Sequence, residues 1–402
     1  MRSRVVAFAI ATALAMSASS AVLAADVSGK ISALGETRKN GQGDERALGA
    51  LYLSANARKV ADVQDFNFNV YGRLANENEG VPGGGNRLFY AYFDKKNLLK
   101  DLDLRIGRQV TALSPGLVTL DGLDLKFKGL SPFTLRGIIG QTVDQEGGSE
   151  GGALALGFET GLRYDAFDAT LSYYEEDKSG DVLKQLYGGD LRYDLARTVE
   201  FTGEFQYDYL RDQFSHLFAE ANYYAPMSYG LSFHYLYDVP VFSSTSIYSV
   251  FAVDLYEEIG FEAHYNFQGG YVGLARYTHE FNQSFSDADV FEAGVKKPES
   301  DRDWYGYLIG TVRQDKDGQS MQGMKVLCAY PVNELFIPGI GLDYDVLDRE
   351  PGDDSKTTSQ RLWLFVKSEV NHDLSLDGTL EHGKSVDSGS YTQARIQATY
   401  RF

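Results

Sequence analysis

The chain is 402 residues long, a length that fits two or three domains or one long all-β domain. Its 42 glycines, 27 tyrosines and 24 phenylalanines, against 9 prolines and 1 cysteine, are typical of many strands joined by tight turns. This composition excludes a disulfide-stapled domain, which needs several cysteines, and a disordered chain, which lacks aromatic residues. Since no apolar run reaches about 18 residues, a helical membrane protein is excluded too.

The first residues have the pattern of an export signal. Arg2 and Arg4 precede an apolar stretch, and the small-residue end Val22-Leu23-Ala24 predicts cleavage before Ala25. We therefore expect residues 1–24 to be a cleaved signal peptide and residues 25–402 to form a single domain outside the cytoplasm.

The mature chain is strongly acidic. Without Arg2 and Arg4 it keeps 36 Lys and Arg against 56 Asp and Glu, so its net charge falls from −18 to −20. Nucleic acid is excluded as a partner, because binding its phosphates needs a basic surface.

Apolar and polar residues alternate along about 22 or 23 segments of the mature chain, which is the period of a strand with one apolar and one polar face. Unbroken examples are residues 66–74, 199–209, 261–267, 374–381 and 394–402. Two environments produce this pattern, the core of a soluble sandwich and the lipid around a transmembrane barrel.

Segment length favours the barrel. A tilted strand needs about 9–11 residues to cross hydrocarbon, as in residues 199–209, whereas sandwich strands usually have about 5–6. Tyrosines with the apolar parity also stand at segment ends, where a membrane interface favours them: Tyr207, Tyr209, Tyr235, Tyr237 and Tyr400. We predict an all-β fold, a closed antiparallel transmembrane β-barrel.

A sheet in lipid must close, because the bilayer offers no water to the backbone groups of an edge strand. An alternating segment from Val27 to Ala33 follows the cleavage site, and Phe402 ends another, so the two ends can pair. We expect no separate plug or soluble domain.

Three stretches give the chain a resemblance to Gram-negative outer-membrane porins: the signal peptide, the closing segment Ala394–Phe402, and the passage Arg87–Asp94 that leads to Leu104–Gln109. The resemblance covers the whole mature chain. It implies an outer-membrane location in contact with lipid and lipopolysaccharide, and recognition of Phe402 by the barrel-assembly machinery. Homotrimers are common among porins, but no interface stripe in this sequence decides the oligomeric state.

Single-chain bacterial barrels normally have an even number of strands. We predict about 22, within a range of 18–24, with short periplasmic turns and long extracellular loops. The expected long loops are residues 36–44, 76–86, 144–152, 175–181, 314–323 and 348–360, and a short periplasmic turn is expected at residues 371–373. Barrels of about 22 strands carry a plugged lumen, so inward loops or another protein must narrow this one.

The polar parity supplies candidate lumen-lining residues from many strands. They are Arg73, Arg105, Arg136, Arg163, Arg192, Glu200, Glu204, Asp208, Glu262, Asp343 and Asp345. Walls of opposite sign would sort polar solutes, although simple hydration of charges in a wide lumen explains the same pattern. Around Trp363 both parities are apolar, so one row must face inward, against an inserted loop or a partner.

We find no pattern of catalytic, cofactor-binding or metal-binding residues, and we expect the protein not to be an enzyme. Gly147-Gly148-Ser149-Glu150-Gly151 has the letters of a nucleophile elbow but lies in an acidic glycine-rich loop. The six histidines have no spacing suited to zinc.

Two functions fit these features. The first is a porin, a water-filled channel for passive diffusion of small hydrophilic solutes. The second is suggested by a resemblance to porin-cytochrome conduits, in which the barrel encloses multihaem c-type cytochromes that carry electrons. The lumen charges favour the first, and the missing plug favours the second.

Overall fold

The computed structural model describes residues 25–41, 43–76, 85–143, 152–225, 228–239, 255–283, 286–299, 303–333, 335–348, 357–385 and 389–402. The predicted signal peptide lies outside these ranges, as does the glycine-rich stretch at residues 147–151.

The described residues form 22 strands and one 3-10 turn at Val60–Asp62, which confirms the all-β prediction and the central strand count. The strands are β1 (Asp26–Asn40), β2 (Glu45–Arg58), β3 (Phe66–Ala75), β4 (Arg87–Leu99), β5 (Leu102–Leu113), β6 (Gly116–Leu130), β7 (Phe133–Thr142), β8 (Leu154–Tyr164), β9 (Phe167–Lys178), β10 (Asp181–Leu195), β11 (Val199–Asp208), β12 (Gln213–Tyr224), β13 (Tyr229–Asp238), β14 (Tyr256–Asn266), β15 (Val272–Asn282), β16 (Ala288–Lys297), β17 (Tyr305–Asp315), β18 (Ser320–Ala329), β19 (Phe336–Asp348), β20 (Thr357–Glu369), β21 (Leu374–Ser385) and β22 (Gly389–Arg401).

Each strand pairs antiparallel with the next one in the chain, and β22 pairs with β1, so the sheet closes into a barrel as predicted. At this seam Ile31 lies opposite Tyr400. The seam continues to the last residue, where the Gly29 N–H donates to the Phe402 carbonyl at 2.9 Å and the Phe402 N–H donates to the Gly29 carbonyl at 3.0 Å.

The two faces of the barrel differ in chemistry. On the outer face large apolar side chains are open, with Phe201 43%, Phe261 45% and Ile396 67% exposed. On the inner face the alternate positions are mostly polar or charged, as in Glu200, Thr202 and Glu204 of β11. Such a molecule fits lipid outside and water inside. Among the described residues, no helix is long and apolar enough to cross a membrane.

Aromatic side chains cluster at both ends of the outer face. Tyr173, Tyr187 and Tyr209 form one group, with ring centroids 5.2 and 6.2 Å apart along the series. At the opposite end the rings of Tyr223 and Tyr229 lie 5.9 Å apart. Two such belts match the two interfaces of a bilayer.

The first and last described residues, Ala25 and Phe402, lie at one end of the barrel, here called the terminal end, and the opposite end is called the loop end. The expected short turn at residues 371–373 is at the terminal end, and all six expected long loops fall at the loop end. Three of these six predictions of a long loop are wrong. Polar residues there continue the strand pairing, so the turns contain only residues 41–44, 179–180 and 316–319. The others lie partly outside the described residues.

The seam gives a first prediction. A Cβ on Gly29 would clash with the Ser54 carbonyl oxygen and lie 2.7 Å from the Phe402 ring, whereas a Cβ on Gly35 meets nothing within 4 Å. We expect Gly29→Ala to lower the free energy of unfolding by about 1–3 kcal/mol through overpacking. Gly35→Ala on the same strand should leave it unchanged.

The measurement is urea unfolding of the protein refolded in lipid vesicles, with the heat-dependent shift in gel mobility as the readout for barrel closure. Equal stability of the two variants would contradict the role assigned to Gly29.

Candidate functional site

The inner wall of the barrel is the candidate site. The structure places ten of the eleven predicted lumen residues on this face with some exposure. The eleventh, Asp208, has the inward parity but is only 1% exposed. Its carboxylate accepts from the Leu210 and Arg211 N–H groups and pairs with the Arg211 guanidinium, so Asp208 stabilises the turn between β11 and β12.

Most inner-face charges are paired with neighbours on adjacent strands. Two predicted residues meet directly, with the Arg192 Nε 2.9 Å from a Glu200 carboxylate oxygen. The Arg136 guanidinium forms an ion pair with the Asp124 carboxylate at 2.7 Å and lies 3.8 Å from the Glu159 carboxylate. Local pairing therefore neutralises much of the charge that the sequence assigns to opposite walls.

Two other predicted acids pair with bases that were not singled out from the sequence. Glu262 pairs with Arg276 at 2.5 Å, and Asp343 lies 3.8 Å from Arg361. Cross-strand register decides these pairs, since Glu262 lies directly opposite Arg276 on β15. The predicted residue Arg163 pairs with Asp168 across the β8–β9 turn.

Unequal numbers of charges remain on two sectors of the wall. The acidic sector, on β11–β16, carries Glu200, Glu204, Glu220, Asp238, Glu258, Glu262, Glu280 and Glu292 against the inner-face bases Arg276 and Lys296. The basic sector, on β22, β1 and β3–β5, carries the inner-face bases Lys30, Arg38, Arg73, Arg87, Arg105, Arg395 and Arg401 against the inner-face acids Asp26, Glu36, Asp94 and Asp103. Strands eleven positions apart are opposite each other in a closed barrel of 22, so the two sectors face each other.

A recess of about 700 Å³ in the described part of the wall lies in and beside the acidic sector. Two histidine rings line it, and each lies flat on a glycine of the paired strand: His234 on Gly260 and His264 on Gly230. The His234 Nε2 is 3.1 Å from a Glu258 carboxylate oxygen. Among the described residues, no three His, Cys, Asp or Glu side chains converge as metal ligands would.

The β5–β6 hairpin is bent into the lumen, a feature that the sequence reasoning missed. The bend follows a row of paired glycines, Gly107, Gly122 and Gly140, where an added Cβ would strike the neighbouring backbone. Gly107 has a φ of +123°, which other residues rarely adopt. Pairing of β5 with β4 ends one residue later, at Arg108.

The hairpin tip rests on the inner face of β9 and β10, four strands away around the wall. The Ser114 hydroxyl donates to Asp190, which also accepts from Thr170 at 2.5 Å. The Ser172 hydroxyl contacts the Ser114 hydroxyl at 3.0 Å. The Pro115 ring sits on Gly188, where a Cβ would approach it to 2.9 Å.

Between the hairpin and the wall lies a small apolar core. Its members are buried side chains of inward parity from β5 to β10: Leu113, Leu120, Ile138, Ala155, Tyr174 and Leu186. This core sits inside the barrel, where the surrounding wall is polar. One feature of the sequence could have predicted this hairpin. Residues 110–120 carry apolar side chains on both parities, and glycines flank this stretch.

The two apolar rows around Trp363 lie on opposite faces of β20. Leu362 and Leu364 are 45% and 49% exposed on the outer face, while Trp363 faces inward at 9% exposure. Its ring covers Gly341 of β19, and the Arg361 guanidinium stacks on it 4.5 Å from the ring centroid. Within the described residues, the chain's own wall therefore covers Trp363.

The hairpin seat gives a second prediction. Asp190→Ala removes the acceptor shared by Ser114 and Thr170, and hydrogen bonds to a charged group contribute about 1.5–3 kcal/mol. We expect the tip to leave the wall more often, which will increase fluctuations of the ionic current through single barrels in planar bilayers.

Asp194→Ala is the matched control, because Asp194 is an inner-face acid of the same strand whose carboxylate contacts Arg192 at 3.7 Å, not the hairpin. Identical current noise in the two variants would show that the Asp190 contact does not hold the hairpin.

Comparisons with known proteins identify the fold. No family model matches the chain, and no curated protein matches it. Among solved structures, the siderophore receptor PirA from Pseudomonas aeruginosa is similar with a TM-score of 0.55 and 9% identity, over 94% of this chain and 80% of that one. The copper transporter OprC gives a TM-score of 0.53 with 11% identity, over 93% and 80% of the two chains. OccK5 from Pseudomonas aeruginosa is matched over 94% of this chain and 98% of that one at a TM-score of 0.45 with 10% identity. The chain therefore has the fold of outer-membrane β-barrel proteins, in a barrel closed by 22 antiparallel strands.

Proposed function

We propose that the protein forms a water-filled channel in the outer membrane, through which small hydrophilic solutes diffuse down their gradients. One observation carries this proposal: a closed apolar surface surrounds a wall whose inward positions are polar on strand after strand. An enclosed wall of that chemistry is hydrated and offers water-soluble molecules a route across lipid.

The infolded hairpin supports a channel of limited width. A barrel of 22 strands is wide, and known barrels of that size are plugged. Here the tip of β5–β6 and its apolar core occupy the space along the inner face of β7–β10. The free passage then lies mainly between the basic and acidic sectors.

The facing sectors support sorting by charge. Rings of acidic side chains favour cations and rings of Arg or Lys favour anions. In this lumen anions are attracted to the wall that carries Arg73 and Arg105, and cations are attracted to the facing wall, which carries Glu220 and Glu258.

A non-enzymatic role is part of the same proposal. The Ser114 hydroxyl is hydrogen-bonded to Thr170, Ser172 and Asp190, and these contacts hold the hairpin tip on the wall.

Location and assembly are part of the same proposal. Residues 1–24 direct export and are cleaved, lipid and lipopolysaccharide surround the outer face, and the barrel-assembly machinery reads the last strand through Phe402. The position of Phe402 supports this role, because its backbone pairs with Gly29 and completes the seam. A homotrimer is a further expectation.

The alternative, a barrel that encloses a multihaem cytochrome, needs the space that the hairpin partly fills. The experiment that separates the two functions is purification from membranes in mild detergent, followed by haem staining and planar-bilayer recording. Stable conductance from haem-free protein supports the channel, whereas haem that co-purifies with a non-conducting barrel supports the sheath.

Charge selectivity supplies the third prediction. Glu220 accepts a hydrogen bond from Ser232 at 3.1 Å and has no ion-pair contact within 4.0 Å in the described structure, so Glu220→Gln removes lumen charge without orphaning a base. We expect the reversal potential in a KCl gradient to shift toward that of chloride.

Glu175→Gln is the control, because Glu175 lies on the outer face, beside Tyr173. A shift of equal size in both variants would contradict a lumen position for the acidic sector.

A further inference from the structure

The basic sector and the neighbouring strand β2 carry a continuous series of aromatic rings that the diffusion of small hydrophilic solutes does not require. The rings of Tyr52 and Tyr71 lie 6.3 Å apart, and Tyr71 stacks on Phe89 at 4.7 Å with planes 21° apart. From Tyr71 the series continues to Tyr90 at 5.7 Å and then to Tyr92 at 5.6 Å.

All five rings lie on the inner face. Tyr52 and Tyr71 line a recess of about 280 Å³ with Lys30 and Arg395. Phe89 joins the same face because β4 has a bulge there, where Tyr71 pairs with Tyr90 and Gly72 with Leu88. Each ring is partly exposed, so a solute in the lumen can reach it.

Arginines stand at both ends of the series. The guanidinium carbons of Arg73 and Arg87 lie 5.9 and 5.1 Å from the Phe89 ring centroid, toward the loop end. Toward the terminal end the Arg105 guanidinium stacks on Tyr92 at 4.6 Å. Arg105 lies opposite Asp94, seven residues along β4 from Arg87, so the two ends are separated by roughly 23 Å of strand.

Stacking turns the edges of these guanidinium groups away from the rings, and one edge is already in use, because the Arg73 Nε donates to the Gly85 carbonyl oxygen at 3.3 Å. A guanidinium that stacks its flat face on a ring keeps its N–H groups pointing outward in the plane, where they match a carboxylate with two parallel hydrogen bonds. The Arg105 Nε is buried and has no hydrogen-bond partner. The nearby Asp94 carboxylate accepts from the Asn67 and Asn69 amides at 3.0 and 2.9 Å.

We infer that this ring series is a binding track for small carboxylates with a planar apolar body, and this inference rests on the proposed channel function. The carboxylate binds an arginine at one end, the planar body lies against the exposed rings, and the solute passes from the Arg73 and Arg87 end to Arg105. Rings on a hydrated wall have no lipid to contact, and a chain of rings between arginines suits a solute with both chemistries.

The test uses benzoate as the probe, with acetate and benzyl alcohol as probes that lack the ring or the charge. Benzoate added during planar-bilayer recording should interrupt the KCl current at a half-blocking concentration about tenfold below those of the other two. Titration calorimetry of benzoate into the detergent-solubilised protein should show the same order of affinity, whether or not the barrel conducts.

Arg105→Lys and Tyr92→Leu should each raise the half-blocking concentration about tenfold, the first because lysine keeps the charge but loses the planar fork. Arg163→Gln is the control, an inner-wall arginine whose contact is Asp168. Normal gel mobility shifts establish that each variant is folded, and Arg73→Gln tests the track if one of them is not.

Loss of all conductance would overturn the channel function, while calorimetric binding of benzoate would still support the track. A conducting barrel that binds benzoate no better than acetate, or whose Arg105→Lys and Tyr92→Leu variants bind it unchanged, would overturn the track and leave the channel standing.

Discussion

The requirement that every backbone N–H and C=O in a bilayer find a partner shapes this molecule. A flat sheet of 22 strands would leave two unpaired edges in lipid, and the pairing of β1 with β22 removes both. The seam depends on a close approach: Gly29 lies where any larger residue would strike Ser54 and Phe402. Gly29, near the start of β1, and Phe402, after β22, therefore pack against each other where the barrel closes.

A second constraint is that rings on a strand must fit beside their cross-strand neighbours. Glycine solves this problem repeatedly, because a ring can lie flat on it, as Trp363 does on Gly341 and His264 does on Gly230. A ring in that position packs directly on the backbone of the paired strand. The glycine-rich composition thus reflects cross-strand packing as well as turns.

Strand existence and parity could be predicted from the sequence because lipid outside and water inside impose a period of two on every strand. The inward parity of Arg136 and Glu262 followed from that period alone. Their partners Asp124 and Arg276 could not be predicted, because cross-strand register depends on turn lengths that the period does not determine.

The hairpin was missed for a related reason: the period of two gives the faces of a strand but not its path, and only the apolar residues on both parities in residues 110–120 mark the part that leaves the wall. Strand ends were misjudged at residues 175–181, where charged side chains project beyond the lipid yet the backbones of β9 and β10 still pair.

Where β5 and β6 fold inward, the two faces of the strands change environment: the face of inward parity packs on the wall, and the face of lipid parity points into the bore. Leu113 and Leu120, of inward parity, are hidden against the wall, while Leu117, of lipid parity, is 73% exposed on the side that looks into the bore. If the position of each residue were judged only from its odd or even place in the strand, Leu117 would be taken for a residue that contacts the membrane. Substitutions at Leu117 change the surface that faces the bore and leave the lipid-facing surface unchanged, so in the proposed channel permeability can evolve at this stretch independently of the membrane contact.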